Sequence, residues 1–379
     1  MMYRREEGKE VDIVALHKRT KTAVREVVDK PRRAGLDIVN DGEMSKPSYA
    51  TYIKDRLSGF GGLGNTFVYQ DLVDFPNMAK RVFGDPGRSR RKTPACNAPI
   101  AVSDPDGVRH DIENLRAAVG GELAQRPFIT AASPGVISLF FHNDHYPSEG
   151  AYLEAIAAAM KPEYEAIVAA GFDLQVDCPD LAMGRHIQYA NLELGEFRKR
   201  AAEHVEALNG AVENIPADRG RKHLCRGNYE GPQHCDVPLA DIVDIVLNAR
   251  PAMLSLEAAN PRHAHEFAVF EKVKLPEGKA LIPGVIESKS NFVEHPEVIA
   301  NASRTTPGWS ASRTSSPEAT AATAPGSVRP QSLRISSGRS SRRSRRAPAW
   351  RARDSGLKRK AAPARSRRPS RQERPRPLG

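Results

Sequence analysis

The chain has 379 residues, enough for one large core or two ordinary ones. Its four irregularly spaced cysteines, the lack of a signal sequence and the lack of a membrane-length apolar run point to a reducing, cytoplasmic setting without disulfides or a membrane span. The net charge of +11 does not mark a nucleic-acid-binding body: from Asn301 onward there are 20 Lys and Arg against 3 Asp and Glu, whereas residues 1–300 hold 37 against 43.

Lys9 to Ala34 carries Val11, Val14, Ala15, Ala23, Val24, Val27 and Val28 at helical spacing, which predicts a helix that Pro31 bends or ends and Gly35 stops. Residues 36–39 predict a short strand running into Asn40-Asp41-Gly42-Glu43. Acidic residues around a glycine at a strand's C-terminal end fit an active-site loop or a plain acidic turn. Ser45 to Pro105 has weak periodicity: YATYIKDRLSGFGG reads as a helix and then a glycine-rich loop, and RVFGDPGRSRRK as an exposed loop.

Beyond Pro105 the rhythm is regular. Helices are predicted at 106–119, 151–170, 189–208, 237–248 and 262–273, with strands at 127–130, 172–176, 222–225, 252–256 and 281–286 and a last helix running past Ala300. In the loop FFHNDHYPSEG, His142, Asp144, His145 and Glu149 have metal-binding types, although ordinary surface polarity explains them as well. The fold class is α/β, built from repeated βα units. Asp41 and Glu43, Asp177, His223 and Cys225, Glu257 and Glu287 all follow or end a predicted strand. That is the face used for chemistry in open parallel sheets and in (β/α)8 barrels alike. No glycine-rich dinucleotide fingerprint follows a strand, which weakens a Rossmann reading. Six strands leave a barrel two short.

His223 and Cys225 stand two apart, so on a strand they point the same way. An imidazole beside a thiolate is half of a zinc site, and Glu257 ends the next predicted strand.

After Ala300 the chain is rich in Ser, Arg, Ala and Pro, with no apolar face to add to a core. It reads as a disordered basic arm for polyanions or as translation of a shifted frame. The stretch from Pro317 to Thr323 can be back-translated so that another frame reads Gly-Gly-Asp-Cys-Gly-Tyr.

The motifs GLDIVNDGEMSK, YIKDRLSGF, VDCPDLAMGRH, HLCRGNYEGP, LSLEAANPRHAHE and PGVIESKSNFVEHPEVIA lie between residues 35 and 300. They resemble the cobalamin-independent methionine synthases, in particular single-domain proteins similar to their catalytic C-terminal domain. The resemblance implies a (β/α)8 TIM barrel with a catalytic zinc at its C-terminal face. It implies His223, Cys225 and Glu257 as metal ligands. It also implies Glu43 and Asp177 as carboxylates holding the amino group of a homocysteine-like substrate, Asp41 as a shaper of the same pocket, and His263, His265 and Glu294 as pocket residues or their supports.

The family's fourth ligand, a cysteine in an Asp-Cys-Gly motif, has no in-frame counterpart, because no cysteine follows Cys235. The shifted reading of 317–323 would supply one. Family members also begin with a strand carrying a Gly-Ser-Leu-Pro motif, whereas this chain starts inside the helix that follows it. The expectation is a barrel domain over residues 1–300, truncated at its N-terminus and lacking strands one and eight, then a low-complexity tail over 301–379 that is disordered or out of frame.

The implied reaction is zinc-dependent methyl transfer from 5-methyltetrahydrofolate, or a related donor, to the thiol of homocysteine in methionine biosynthesis. Three other readings stand beside it. One is alkylation of another thiol, such as coenzyme M, by an epoxide or other donor. Another is nucleic-acid binding through the tail. The last is an inactive product of a disrupted gene, since a barrel short of two strands has open edges.

Overall fold

The computed structural model describes residues 1–64, 69–84, 94–121, 123–227, 231–287 and 293–305. The chain divides into two units, Met1–Ser337 and Gly338–Gly379, and every described residue belongs to the first. The predicted last helix is Pro296–Thr305; the tail beyond it, with its 317–323 stretch, lies outside the described residues, as does most of the RVFGDPGRSRRK segment.

The helix Ile13–Arg33 starts at Asp12, whose side chain accepts a hydrogen bond from Ala15 N at 2.9 Å, and keeps Pro31 inside its last turn. Its buried stripe is Leu16, Thr20, Val24 and Val28, four residues apart. Val14, predicted on the apolar face, is exposed.

The segment 36–39 does not form a strand. It reaches the sheet through one parallel bridge, Asn40 to Phe128, with Phe128 N donating to Val39 O at 3.1 Å. After the helix Tyr49–Arg56 the expected glycine-rich loop is instead a strand, β1 (Leu57–Gly61), paired antiparallel with β2 (Ala95–Val102). Its register shifts between Ser58 and Phe60. Gly59 sits at that shift with φ +98°, and a Cβ there would lie 2.8 Å from two backbone oxygens of β2. The glycine marks a bulge with close backbone approach, which a composition-based reading takes for a loop.

The remaining strands are β3 (Phe128–Ala132), β4 (Asp173–Asp177), β5 (Gly220–Leu224), β6 (Met253–Glu257) and β7 (Ala280–Gly284), one parallel sheet in sequential order. Helical segments separate each consecutive pair. Several are shorter than predicted: Val243–Asn248 replaces 237–248, and Val269–Lys272, preceded by a single 3-10 segment, replaces 262–273. Every residue of β3, β4 and β5 is buried, as in a sheet covered on both faces.

That burial includes charge. Lys222 Nζ donates to the carbonyls of Ala249 and Pro251, at 3.3 and 2.6 Å, and the Arg221 guanidinium lies over the Phe128 ring and 3.8 Å from Asp173. At the end of β3, Ala132 N donates to Tyr52 Oη at 2.8 Å and Tyr164 Oη donates to Ala132 O, so two tyrosines satisfy backbone groups there. Among the described residues no helix is long and apolar enough to cross a membrane.

Candidate active site at the strand ends

The parallel register lines up the chemistry. Asp177 at the end of β4 pairs with His223 on β5, and His223 pairs with Ser255 on β6. Ser255 Oγ lies 3.3 Å from His223 Nδ1, so this ring nitrogen already has a partner. The chain leaves β5 through Cys225, whose sulfur accepts a hydrogen bond from Gly227 N at 3.3 Å. Burial works against a charged His223. The hydrogen bond to Cys225 and the negative fields of Asp177, Cys225 and Glu257 outweigh it and raise the imidazole to about 9. His223, Cys225 and Glu257, predicted together from the sequence, therefore occupy one electrostatic neighbourhood.

The Asp-Gly-Glu turn enters the same neighbourhood. Asn40 Oδ1 accepts from Gly42 N at 2.9 Å and Asp41 Oδ1 from Glu43 N at 3.1 Å, a tight turn held by its own side chains. Gly42 has φ +63° and Glu43 φ +53°; the left-handed region suits the glycine and strains the glutamate. Burial pushes the Glu43 carboxyl up, and Asp177 pushes it further. Lys46 only partly offsets them, leaving Glu43 at about 8. Asp41, almost fully buried, is likewise raised by burial, with Lys46 opposing.

Asp177 is fixed from two sides: Gln175 Nε2 donates to Oδ1 at 3.1 Å, and Tyr49 Oη donates to Oδ2. Tyr49 was not singled out from the sequence. The only signal for it was its place just before the YIKDRLSGF motif, on a helix whose packing could not be foreseen. Lys46 and Ser255 lie inside the motifs GLDIVNDGEMSK and LSLEAANPRHAHE but were not singled out, because their contacts come only from tertiary packing. Glu294 stands elsewhere on this end of the sheet: both its carboxylate oxygens accept from Glu287 N at 3.1 Å, and Glu287 in turn accepts from Asn260. His263 is buried against Arg226, Asp236 and Glu266. In the other loop with metal-binding residue types, His142 Nε2 lies 3.0 Å from Asp144 Oδ1.

The donor set of His223, Cys225 and Glu257 suits a metal by type, but the three donor atoms are not drawn into a closed cluster. Among the described residues, the groups whose donor atoms all lie within 4.8 Å of one another are Asp71, His234 and Cys235, and Asp71, His186 and Asp236. From the sequence, Cys235, in a loop with His234, is offered only as a substitute for the missing fourth ligand; the grouping with Asp71, and that of Asp71 with His186 and Asp236, was not anticipated.

Comparison with known proteins finds methionine synthases. The chain is 25% identical to a methionine synthase of Thermococcus kodakarensis over 282 residues, 73% of this chain and 68% of that protein. It is 23% identical to a methionine synthase of Sulfolobus acidocaldarius over 227 residues, 59% of this chain and 57% of that one. The fold is shared with the B12-independent methionine synthase of Shewanella sp. W3-18-1, solved in complex with selenomethionine, at a TM-score of 0.53 and 19% identity over 75% of each chain. In sequence the chain is similar to archaeal methionine synthases, and in fold to a B12-independent one. It spans between about half and two thirds of the length of its archaeal relatives, and no family model matches it.

Proposed function

We propose that this chain is a zinc-dependent methyltransferase that moves a methyl group onto the thiol of homocysteine, with 5-methyltetrahydrofolate or a related compound as donor. The observation that carries the reading is the gathering of an imidazole, a thiol and a carboxylate (His223, Cys225, Glu257) beside the paired carboxyls of Glu43 and Asp177. The fold assigned with this function is a (β/α)8 barrel. Its support is the sequential order of the five parallel strands and the bridge that extends the β3 edge toward residues 36–40.

Nitrogen, sulfur and oxygen donors from two adjacent strands match what zinc takes, and the His223–Ser255 contact would orient the imidazole. Bound there, zinc would let a substrate thiol exist as thiolate at neutral pH. The chain's own residues would do the rest. Burial first, and then the neighbouring carboxyls of Asp177 and Asp41 with Lys46 as partial compensation, make Glu43 hold its proton. A substrate ammonium placed among them would relieve that repulsion and let Glu43 ionise. Asp177, held by Tyr49 and Gln175, would set the ammonium's position and so the reach of the thiol toward the metal.

The test is methionine formation by the purified, zinc-loaded full chain from homocysteine with methyltetrahydrofolate and with simpler methyl donors. Zinc-dependent turnover that is lost in Cys225→Ser supports the reading. Zinc bound without transfer from any donor rejects it. An inserted or deleted base in the codons for residues 295–330 would bring Asp-Cys-Gly into frame as the fourth ligand, and resequencing decides this directly.

A further inference from the structure

The loops after β4 and β5 meet the short helix Gln70–Val73 in a second group of metal-ligating side chains that methyl transfer does not use. We propose that Asp71, His186 and Asp236 bind a divalent first-row transition-metal ion of the zinc class, which ties these three segments together.

Asp71 is 0% exposed, His186 2%, and the Asp236 side chain 6%, so all three have left water. His186 Nδ1 lies 3.5 Å from Asp71 Oδ2, and Nε2 lies 3.2 Å from Asp236 Oδ1. Neither ring nitrogen makes a hydrogen bond of acceptable geometry, and neither does Asp236 Oδ1. A buried imidazole at ion-pair distance from two carboxylates, with both ring nitrogens off the hydrogen-bond line, is an arrangement that a shared cation would complete.

The surroundings are built to hold the carboxylates still. Asp236 Oδ2 lies 3.0 Å from His263 Nε2, and the other nitrogen of that ring faces Arg226 and Glu266. Glu266 is pinned in turn by Leu239 N at 2.8 Å and by Arg226. Asp71 Oδ1 accepts from Cys235 N at 2.8 Å, and Oδ2 lies on the His186 side. Carboxylates fixed through one oxygen, with the other aimed inward, are how ligands are oriented toward a metal. One imidazole and two carboxylates suit zinc or manganese(II) rather than a soft ion. The alternative occupant is a proton, giving an imidazolium between two carboxylates and no metal.

The two are separated with the full chain carrying His223→Ala and Cys225→Ser, which removes the proposed transferase ligands and makes the outcome independent of that reading. After chelation and zinc titration this variant retains one equivalent per chain, and its melting temperature rises with zinc. Adding His186→Gln weakens binding at least tenfold. X-ray absorption of the zinc-loaded double variant shows nitrogen and oxygen neighbours with one imidazole and no sulfur, a readout that stands even if the His186 variant does not fold. Folded double variant without bound zinc overturns the proposal. So does a sulfur neighbour, which would place the ion on Cys235, or unchanged affinity in His186→Gln.

Discussion

Alanine at Gly135 tests how the loop carrying Asp177 is held. Gly135 lies in the first turn of the helix Pro134–Phe140, capped by Ser133, whose Oγ accepts from Val136 N at 3.0 Å. An added Cβ would stand 2.0 Å from Asp180 Oδ2, 2.5 Å from Asp180 Cγ and 2.6 Å from His204 Nδ1. Asp180 is itself the hub of a buried chain: Ser133 Oγ donates to Oδ1 at 2.8 Å, His204 Nδ1 lies 3.0 Å from Oδ2, and Tyr189 Oη lies 3.0 Å from His204 Nε2. The side chains of Asp180 and His204 are 2% and 1% exposed, so the displaced carboxylate finds no water. Clearing the clash needs a movement of about 1 Å, which opens the pair. Breaking a buried pair costs about 3–5 kcal/mol, and overpacking alone costs about 1–3 kcal/mol. The expected loss is about 4 kcal/mol, a large part of the roughly 5–15 kcal/mol that stabilises a domain. Urea unfolding followed by circular dichroism measures it as a shift in midpoint at constant slope. A loss below about 1 kcal/mol with unchanged slope would refute the reasoning, because the carboxylate would then have somewhere to go.

Glu43 keeps its proton to about pH 8, against 4.5 for an ordinary glutamate, so the folded state holds an extra proton between those values. The stability this contributes is full below pH 4.5 and lost as pH rises through 8. The wild type should therefore weaken relative to Glu43→Gln across that window, and parallel urea profiles would contradict it. Gly42→Ala meets both a left-handed φ and Val27 methyls at 2.8 and 2.9 Å. It should cost about 1–3 kcal/mol and lower transfer by misplacing Glu43; wild-type stability and rate would show the turn to be unimportant. Tyr49→Phe removes the donor to Asp177 Oδ2 and should raise KM for the amino-acid thiol more than it lowers kcat, which steady-state kinetics resolves. If His223 holds zinc, its imidazole, raised to about 9, must lose its proton to do so. Zinc affinity measured by competition should then fall at least tenfold per unit as pH drops from 8 to 6, and a flat profile would place the ion elsewhere.

Much of the sheet was legible in the sequence because its signals are local. Short apolar runs bounded by turns predicted the β3 to β7 positions to within a few residues, and the two-residue spacing of His223 and Cys225 placed both side chains on one side of the chain. The polar residues at the strand ends marked a candidate site, and the register sets Asp177, His223 and Ser255 side by side there. What local pattern could not supply was pairing. Gly59 reads as a loop until β2 is known to pass within 2.8 Å of where its Cβ would be. That the strand GRKHL is buried along its whole length follows only once Asp173, Phe128 and the Ala249 and Pro251 carbonyls receive its charges. Tyr49 becomes an anchor for Asp177 only when its helix packs across the strand ends. Asp71, His186 and Asp236 are far apart in the chain and share no motif. Tertiary structure alone made them neighbours, because burial and ligand geometry depend on which segments fold against one another, while spacing and composition report only on neighbours along the chain.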